Sequence, residues 1–483
     1  MKTWRQVMSL AVVAACAVGV LLLSEPDKTA VSQEVNDAPA KVQEAFPHVV
    51  NIAAISSSWY CPGVPLGGDA YAGNDYGGNI TISNPTDTEV QGVVTRYATE
   101  NEPEIVSIIV PPRDSLVYNF SEGARGAYVS ALVELAGGKG TSVEQRAIYP
   151  AGDSTQPCVN QPSTQWFFAD GFTASDSKED LLLTNPLPDA TVINVRFVTK
   201  DGERQPSALQ GYVLPPHSLR VLDIASQGAR GEDLVGVELR AVSGTFVAAR
   251  AQHYLGTGRL GYSLKLGAPE VATDWWLTTG DYRGKPNEQI IVFNPTQDEA
   301  KVVALFSGEG GVGVAPLNLT VPAHRVVSLA MSNIAGLTEN RFAVSFSVLE
   351  GTGIVVEHVS TRQLEKSMAT TVDLGVPFVM AAKQWAIPSP ITPGTADAIA
   401  LTNVTALQAS ARIEGVGPAG ALPIAGLEAI VVEPGATRYV ALPEGVVLGQ
   451  LQVVSTQDLI VVRSLPRTFG VKGRDLVAAL PMK

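Results

Sequence analysis

The chain has 483 residues, with 45 glycines, 32 prolines, 6% aromatic and 17% charged residues, and a formal charge of −13. That composition describes a turn-rich β protein of several domains, because many short strands need many breakers. Acidity without a basic stripe argues against nucleic acid and against an anionic membrane surface as partners.

In chain order, Lys2 and Arg5 precede an uncharged run from Val7 to Leu23. At about 1.5 Å per residue such a run nearly spans a bilayer core. Residues 1–23 are therefore expected to be an uncleaved transmembrane signal anchor. A cleaved signal peptide, or a lipoprotein modified at Cys16 within Val13-Ala-Ala-Cys16, are the alternatives. All three leave the remainder outside the cytoplasm, so the expected location is the cell membrane, single-pass, with an extracytoplasmic C-terminal region. Residues 24–57, polar and without strand alternation, read as a tether.

Beyond them one motif returns: Ile80-Thr-Ile-Ser-Asn84-Pro85, Leu181-Leu-Leu-Thr-Asn185-Pro186, Ile290-Ile-Val-Phe-Asn294-Pro295 and the weaker Ile399-Ala-Leu-Thr-Asn403-Val404. The asparagines step by 101, 109 and 109 residues (84 to 185, 185 to 294, 294 to 403), so one unit is used four times. Each apolar run reads as a buried strand, ended by a turn at Asn-Pro. A strand-breaking proline follows each Asn, at Pro111 and Pro112, Pro215 and Pro216, Pro322, and Pro434. The third unit shows seven short strands in about 100 residues, the pattern of an immunoglobulin-like sandwich. The expected fold is all-β, with four tandem immunoglobulin-like β-sandwiches at 58–162, 163–271, 272–381 and 382–483 after the anchor. A β-propeller is the competing fold, and would need two unlike blades per unit.

Trp59, Trp166, Trp275 and Trp385 open the four units and are expected in their cores. Their neighbours on the strand, Tyr60, Phe167 and Trp276, then face outward, as junction packing or as surface for a ligand. Cys61 and Cys158 bracket the first unit and are expected to form a disulfide. The glycine-rich insertion from Gly67 to Gly78 offers Asp69, Tyr71, Asp75 and Tyr76 as surface-binding candidates. Gly308-Glu-Gly-Gly-Val-Gly313 matches a phosphate-binding pattern on paper, yet no helix follows, so it reads as a loop. The five histidines are scattered without metal spacing, and no nucleophile elbow occurs. No enzyme activity, metal or cofactor is expected.

Trp166-Phe-Phe-Ala-Asp-Gly171, Leu181 to Pro186, Leu214-Pro-Pro216 and Ala249-Arg-Ala-Gln-His-Tyr254 resemble a repeat of actinobacterial surface proteins, with W-x-F-A-x-G opening and N-P strand. The whole chain is similar to an actinobacterial secreted or membrane-anchored family of unknown function. The fourth unit departs most, with Val404 for Pro and Ala386 for an aromatic. The resemblance implies an envelope location, a sandwich fold and an accessory role beside a large membrane glycosyltransferase. The expected function is thus a non-catalytic, membrane-tethered extracytoplasmic scaffold that partners an envelope or membrane protein. An array of cell-wall glycan-binding modules is the alternative. The arrangement of the four units is not legible from the residues.

Overall fold

The apolar runs ending in Asn become central strands: Gly77–Asn84, Lys178–Asn185, Asn287–Asn294 and Ala398–Asn403. Their lack of alternation has a cause. Leu181 and Leu183 enter one apolar core while Leu182 between them enters the core of the preceding repeat, so both faces are buried. The computed structural model describes residues 42, 44–50, 54–67, 76–137, 140–256, 258–308, 314–364, 367–389, 398–443 and 449–482. The expected anchor and the Cys16 alternative lie outside the described residues, as do Asp69, Tyr71, Asp75 and most of the Gly308–Gly313 loop. Among the described residues no helix is long and apolar enough to cross a membrane.

Each of the first three repeats builds two antiparallel sheets, and in the fourth a shared strand joins the two into one. In the first, Ser56–Pro65, Tyr128–Ala136, Val90–Ala98 and Glu104–Val110 lie side by side, as do Asp114–Tyr118, Gly77–Asn84, Ser142–Ile148 and Ser154–Pro157. The second and third repeats keep this order, with extra edge strands. In the fourth, the 17-residue strand Gln450–Pro466 serves both sheets, pairing first with Ala382–Ile387 and then with Ala398–Asn403. In the first repeat the two sheets pack on each other through Ser56–Pro65 and Ser142–Ile148, as the layers of a sandwich do.

The recurring Asn does more than start a turn. The Asn294 side chain, fully buried, donates to the Asp298 carbonyl (2.8 Å) and the Val321 carbonyl (2.9 Å), and its Oδ1 accepts from Thr296 N (3.0 Å). Asn84, Asn185 and Asn403 make the same set, reaching the carbonyls of Val110, Leu214 and Val432. One amide thus closes a turn and fastens it to the strand that ends at the proline breaker, which explains their fixed spacing. Just past each breaker the backbone is left-handed, at Arg113 (φ 51°), His217 (φ 48°), His324 (φ 50°) and Gly435 (φ 67°). His217 and His324 therefore share a station for a turn that a residue with positive φ must make.

The four repeats close on themselves. Four inner strands, Ser154–Pro157, Gly261–Leu266, Met368–Leu374 and Arg474–Ala478, each pack on the next, and the last packs on the first. The links are specific: Leu264 N to Ser154 Oγ at 3.1 Å, Thr370 N to Leu260 O at 2.8 Å, Thr371 Oγ1 to Arg474 O at 2.6 Å, and Thr155 N to Asp475 Oδ2 at 2.5 Å. A head-to-tail contact repeated in one rotational sense closes into a ring when the rotation fits, and here four copies fit.

Cores merge across the junctions: one cluster runs from Phe167 and Tyr254 through Trp275 and Phe293 to Trp385 and Val461. Residues 40–483 accordingly form one compact unit. The expected tether is too long at its C-terminal end. Phe46 is 4% exposed and meets the Trp275 ring at 5.8 Å, Val49 N bonds Pro481 O at 2.9 Å, and His48 N bonds Asn160 Oδ1 at 2.9 Å. Apolar side chains at these positions are drawn to the mouth of the ring, where inner strands of all four repeats border a cavity of about 90 Å³.

Candidate functional site

Each junction sets the opening-strand sheet of one repeat against the Asn-strand sheet of the next, and register shows which residues correspond. Four places before the Asn, Ile80, Leu181, Ile290 and Ile399 face Gln145, Arg250, His358 and Arg463 on the closing strands. One place nearer, the closing strands carry Glu144, Ala249, Glu357 and Val462. Carboxylates thus come from odd repeats and guanidiniums from even ones. Arg250 meets Glu357 at 3.1 Å between the second and third repeats, and Arg463 meets Glu144 at 2.9 Å between the fourth and first.

The second repeat holds further buried charge. Arg259 Nη1 pairs with Asp170 at 2.9 Å. Burial pushes the Glu179 carboxyl up to about 8, Arg250 opposing and Asp170 reinforcing the shift. At the ring axis Lys265 Nζ pairs with Asp475 Oδ1 at 2.9 Å and donates to the carbonyls of Thr155 and Leu476. Burial raises Asp373 beside it to about 6, with Lys265 and His358 pulling the other way.

The remaining two junctions differ from each other. Between the first and second repeats aromatic side chains fill the space: Tyr149 stacks on Tyr262 with centroids at 4.4 Å and bonds His253 Nδ1 at 3.1 Å. Burial, then Lys178, lowers His253 to about 4. Between the third and fourth repeats a cavity of about 440 Å³ is open. Four residues after His358, where the first two repeats place Tyr149 and Tyr254, stands Arg362. It swings to the Asp281 and Arg283 carbonyls and leaves the volume free.

The cavity has a polar lining. His358 Nε2 meets Glu288 Oε1 at 2.6 Å with both side chains buried, and Asp281 N donates to the same oxygen at 3.1 Å. Burial works against Asp281 ionising, but Arg283 and Arg362 outweigh it and hold the carboxyl below its ordinary range. Arg341 lies over the Tyr439 ring at 4.5 Å. The pocket falls in the range of about 300 to 1,000 Å³ typical of small-molecule sites.

Of the residues singled out in the sequence, Cys61 and Cys158 are joined, with Cα atoms 4.5 Å apart. All four recurring tryptophans are at most 1% exposed. Phe167 is corrected: fully buried against Phe293 of the third repeat at 6.4 Å, it offers no surface to a ligand. Tyr60 and Trp276 are half-buried, each on a strand paired to its repeat's tail at Val159 and Val376. Tyr76, also half-buried, packs edge-on to Tyr149 at 5.2 Å. None of these lines the open cavity. Its residues are not legible as a group because they come from many separate strands of two repeats. The one sequence signal is the polar run Glu357-His358-Val-Ser360-Thr361-Arg362 in a strand that opens on valine.

The chain is therefore an all-β protein of tandem repeats closed into a ring, with charged junctions and, between the third and fourth repeats, a junction cavity of about 440 Å³. It belongs to a family of unknown function, DUF5719, whose profile matches residues 121–345 and again 267–473, together more than half of the chain. No curated protein matches. Among solved structures, one from Thermotoga maritima 1070 shares 12% identity over 22% of this chain and 96% of that one, with a TM-score of 0.19. A tetra-tandem repeat in the extending region of a large adhesion protein shares 12% identity over 84% and 95%, with a TM-score of 0.11. Likeness at this level carries no argument about fold or function.

Proposed function

We propose that this chain is an exported, non-catalytic scaffold of the cell envelope, tethered through its N-terminal apolar segment and docking a membrane or envelope protein on the outer faces of its ring. One observation carries the reading: the repeats are fastened into a single body by buried ion pairs and merged cores. Such a body presents fixed surfaces. The Cys61–Cys158 bridge supports export, since structural disulfides persist in oxidising compartments. We read the two-sheet repeats as immunoglobulin-like sandwiches, and the partner as a membrane glycosyltransferase on the strength of the repeat resemblance.

The test is a lone cysteine placed at the exposed Arg412, labelled by an impermeant maleimide in intact cells, with cross-linking and mass spectrometry to find the partner. Labelling only after lysis would overturn the exported scaffold. So would a hydrolytic or transferase activity of the purified chain that one substitution abolishes.

A further inference from the structure

We infer that the cavity between the third and fourth repeats is a binding site for an anionic sugar, a polyhydroxylated ring bearing a carboxylate or a phosphate. The ring makes this junction unlike the others. Tyr149, Tyr262 and His253 fill the first, and paired charges occupy the second and the fourth. The cavity on the axis is smaller, about 90 Å³, and Phe46 and Pro47 border it. A cavity of about 200 Å³ also borders the fourth and first repeats, but the Arg463–Glu144 and Arg146–Asp153 pairs line it; the third junction offers the larger volume, with an unpartnered hydroxyl and carboxylate oxygen in its lining.

Two of those groups lie on its floor. Ser360 is 7% exposed and its Oγ has no partner among the described residues. Glu288 is 2% exposed; His358 and Asp281 N occupy its Oε1, while Oε2 is unpartnered. A buried carboxylate oxygen without a donor calls for a hydroxyl, and a buried hydroxyl calls for either role, so the floor suits a polyol. The wall carries the opposite demand. The Arg341 guanidinium rests on the Tyr439 ring and has no carboxylate or hydrogen-bond partner among the described residues. Arg474, which donates to Ser464, adds a second positive charge to the lining. A planar guanidinium held flat on a ring presents its edge to a carboxylate or phosphate oxygen pair. One molecule that meets both floor and wall must carry hydroxyls at one end and an anion at the other.

Calorimetric titration of the purified full-length chain with glucuronate, glucose 6-phosphate, glucose, acetate and inorganic phosphate tests this. At least one anionic sugar should bind, and glucose, acetate and phosphate should each bind about tenfold or more weakly, since each meets only half of the lining. The preference between glucuronate and glucose 6-phosphate identifies the anion. Arg341→Gln and Ser360→Ala should each weaken the preferred sugar about fivefold to tenfold, while Arg412→Gln, 50% or more exposed and remote from the cavity, should not. Ser360→Ala removes only an oxygen, so it keeps the test intact if Arg341→Gln unfolds. No binding of either anionic sugar at roughly 10 mM, binding that survives both variants, or inorganic phosphate binding as tightly as the sugars would each overturn the assignment. A failure here leaves the scaffold reading standing, because docking uses the outer faces; a cytoplasmic location would remove that reading without touching the titration.

Discussion

Arg250 and Glu357 face each other at 3.1 Å from neighbouring repeats, each side chain 2% exposed, and two repeats further round Arg463 and Glu144 repeat the pair at 2.9 Å. Removing one partner strands a charge in the core. Arg250→Ala should therefore destabilise the ring by about 3 to 5 kcal/mol, while replacing both partners by apolar residues of similar volume should cost far less. Urea unfolding of the two single variants and the double variant checks this; equal losses in all three would refute it.

The buried asparagines should be among the most sensitive surface-distant positions. Asn294→Ala leaves the Asp298 and Val321 carbonyls without donors, at about 1 to 3 kcal/mol for each orphaned group. Thermal unfolding should show a comparable loss for Asn403→Ala, whose side chain makes the same contacts to Leu407 and Val432. A neutral result at both would mean the turn holds without its clip.

Reducing the Cys61–Cys158 bridge, which closes a loop with a sequence separation of 97, should cost up to about 4 to 5 kcal/mol in the chain-entropy model. Sequence alone suggests that the first repeat would then melt by itself, each sandwich having its own core. The merged cores predict otherwise: differential scanning calorimetry should show one transition moving down as a whole. A separate early transition would contradict it.

Stability should also respond to pH through Glu179. Its folded carboxyl titrates at about 8 against 4.5 for the free group, so the folded state holds a proton that the unfolded state has already lost between those values. Stability from this group is complete below pH 4.5 and falls as pH rises toward 8. Glu179→Gln should flatten that fall, gaining about 2 to 4 kcal/mol over the parent at pH 8 relative to pH 5. His253, lowered to about 4, acts oppositely, weakening the fold as pH drops below 6.5. Melting curves of parent and variant from pH 5 to 8 decide it, and parallel curves would sink the prediction.

What could be read from the residues was whatever recurs or stays local. Asn84, Asn185, Asn294 and Asn403 marked the strands because the clip needs a short side chain that both donates and accepts. Cys61 and Cys158 marked each other because their repeat brings its first strand to its tail. The ring was not readable, since Leu264 meets Ser154 and Thr155 meets Asp475 across 110 and 320 residues, each a backbone amide on a single side-chain oxygen with no local signature. Of the two readings of Phe167, junction packing holds and ligand surface does not: its outward face on the strand is the inward face of the next junction. Arg341, Arg362 and Arg474 belong to no recurring motif, and only closure sets them around one space.

The chain enters the ring at Phe46 to Val49, bonded to Pro481 and Asn160 and wedged against Trp275. A pull transmitted through the preceding residues would not reach the first repeat alone. It is divided at once among the first, third and fourth repeats, which lie on different sides of the axis. Traction on this molecule is resisted by the whole circle, and the weakest single sandwich does not set its mechanical strength.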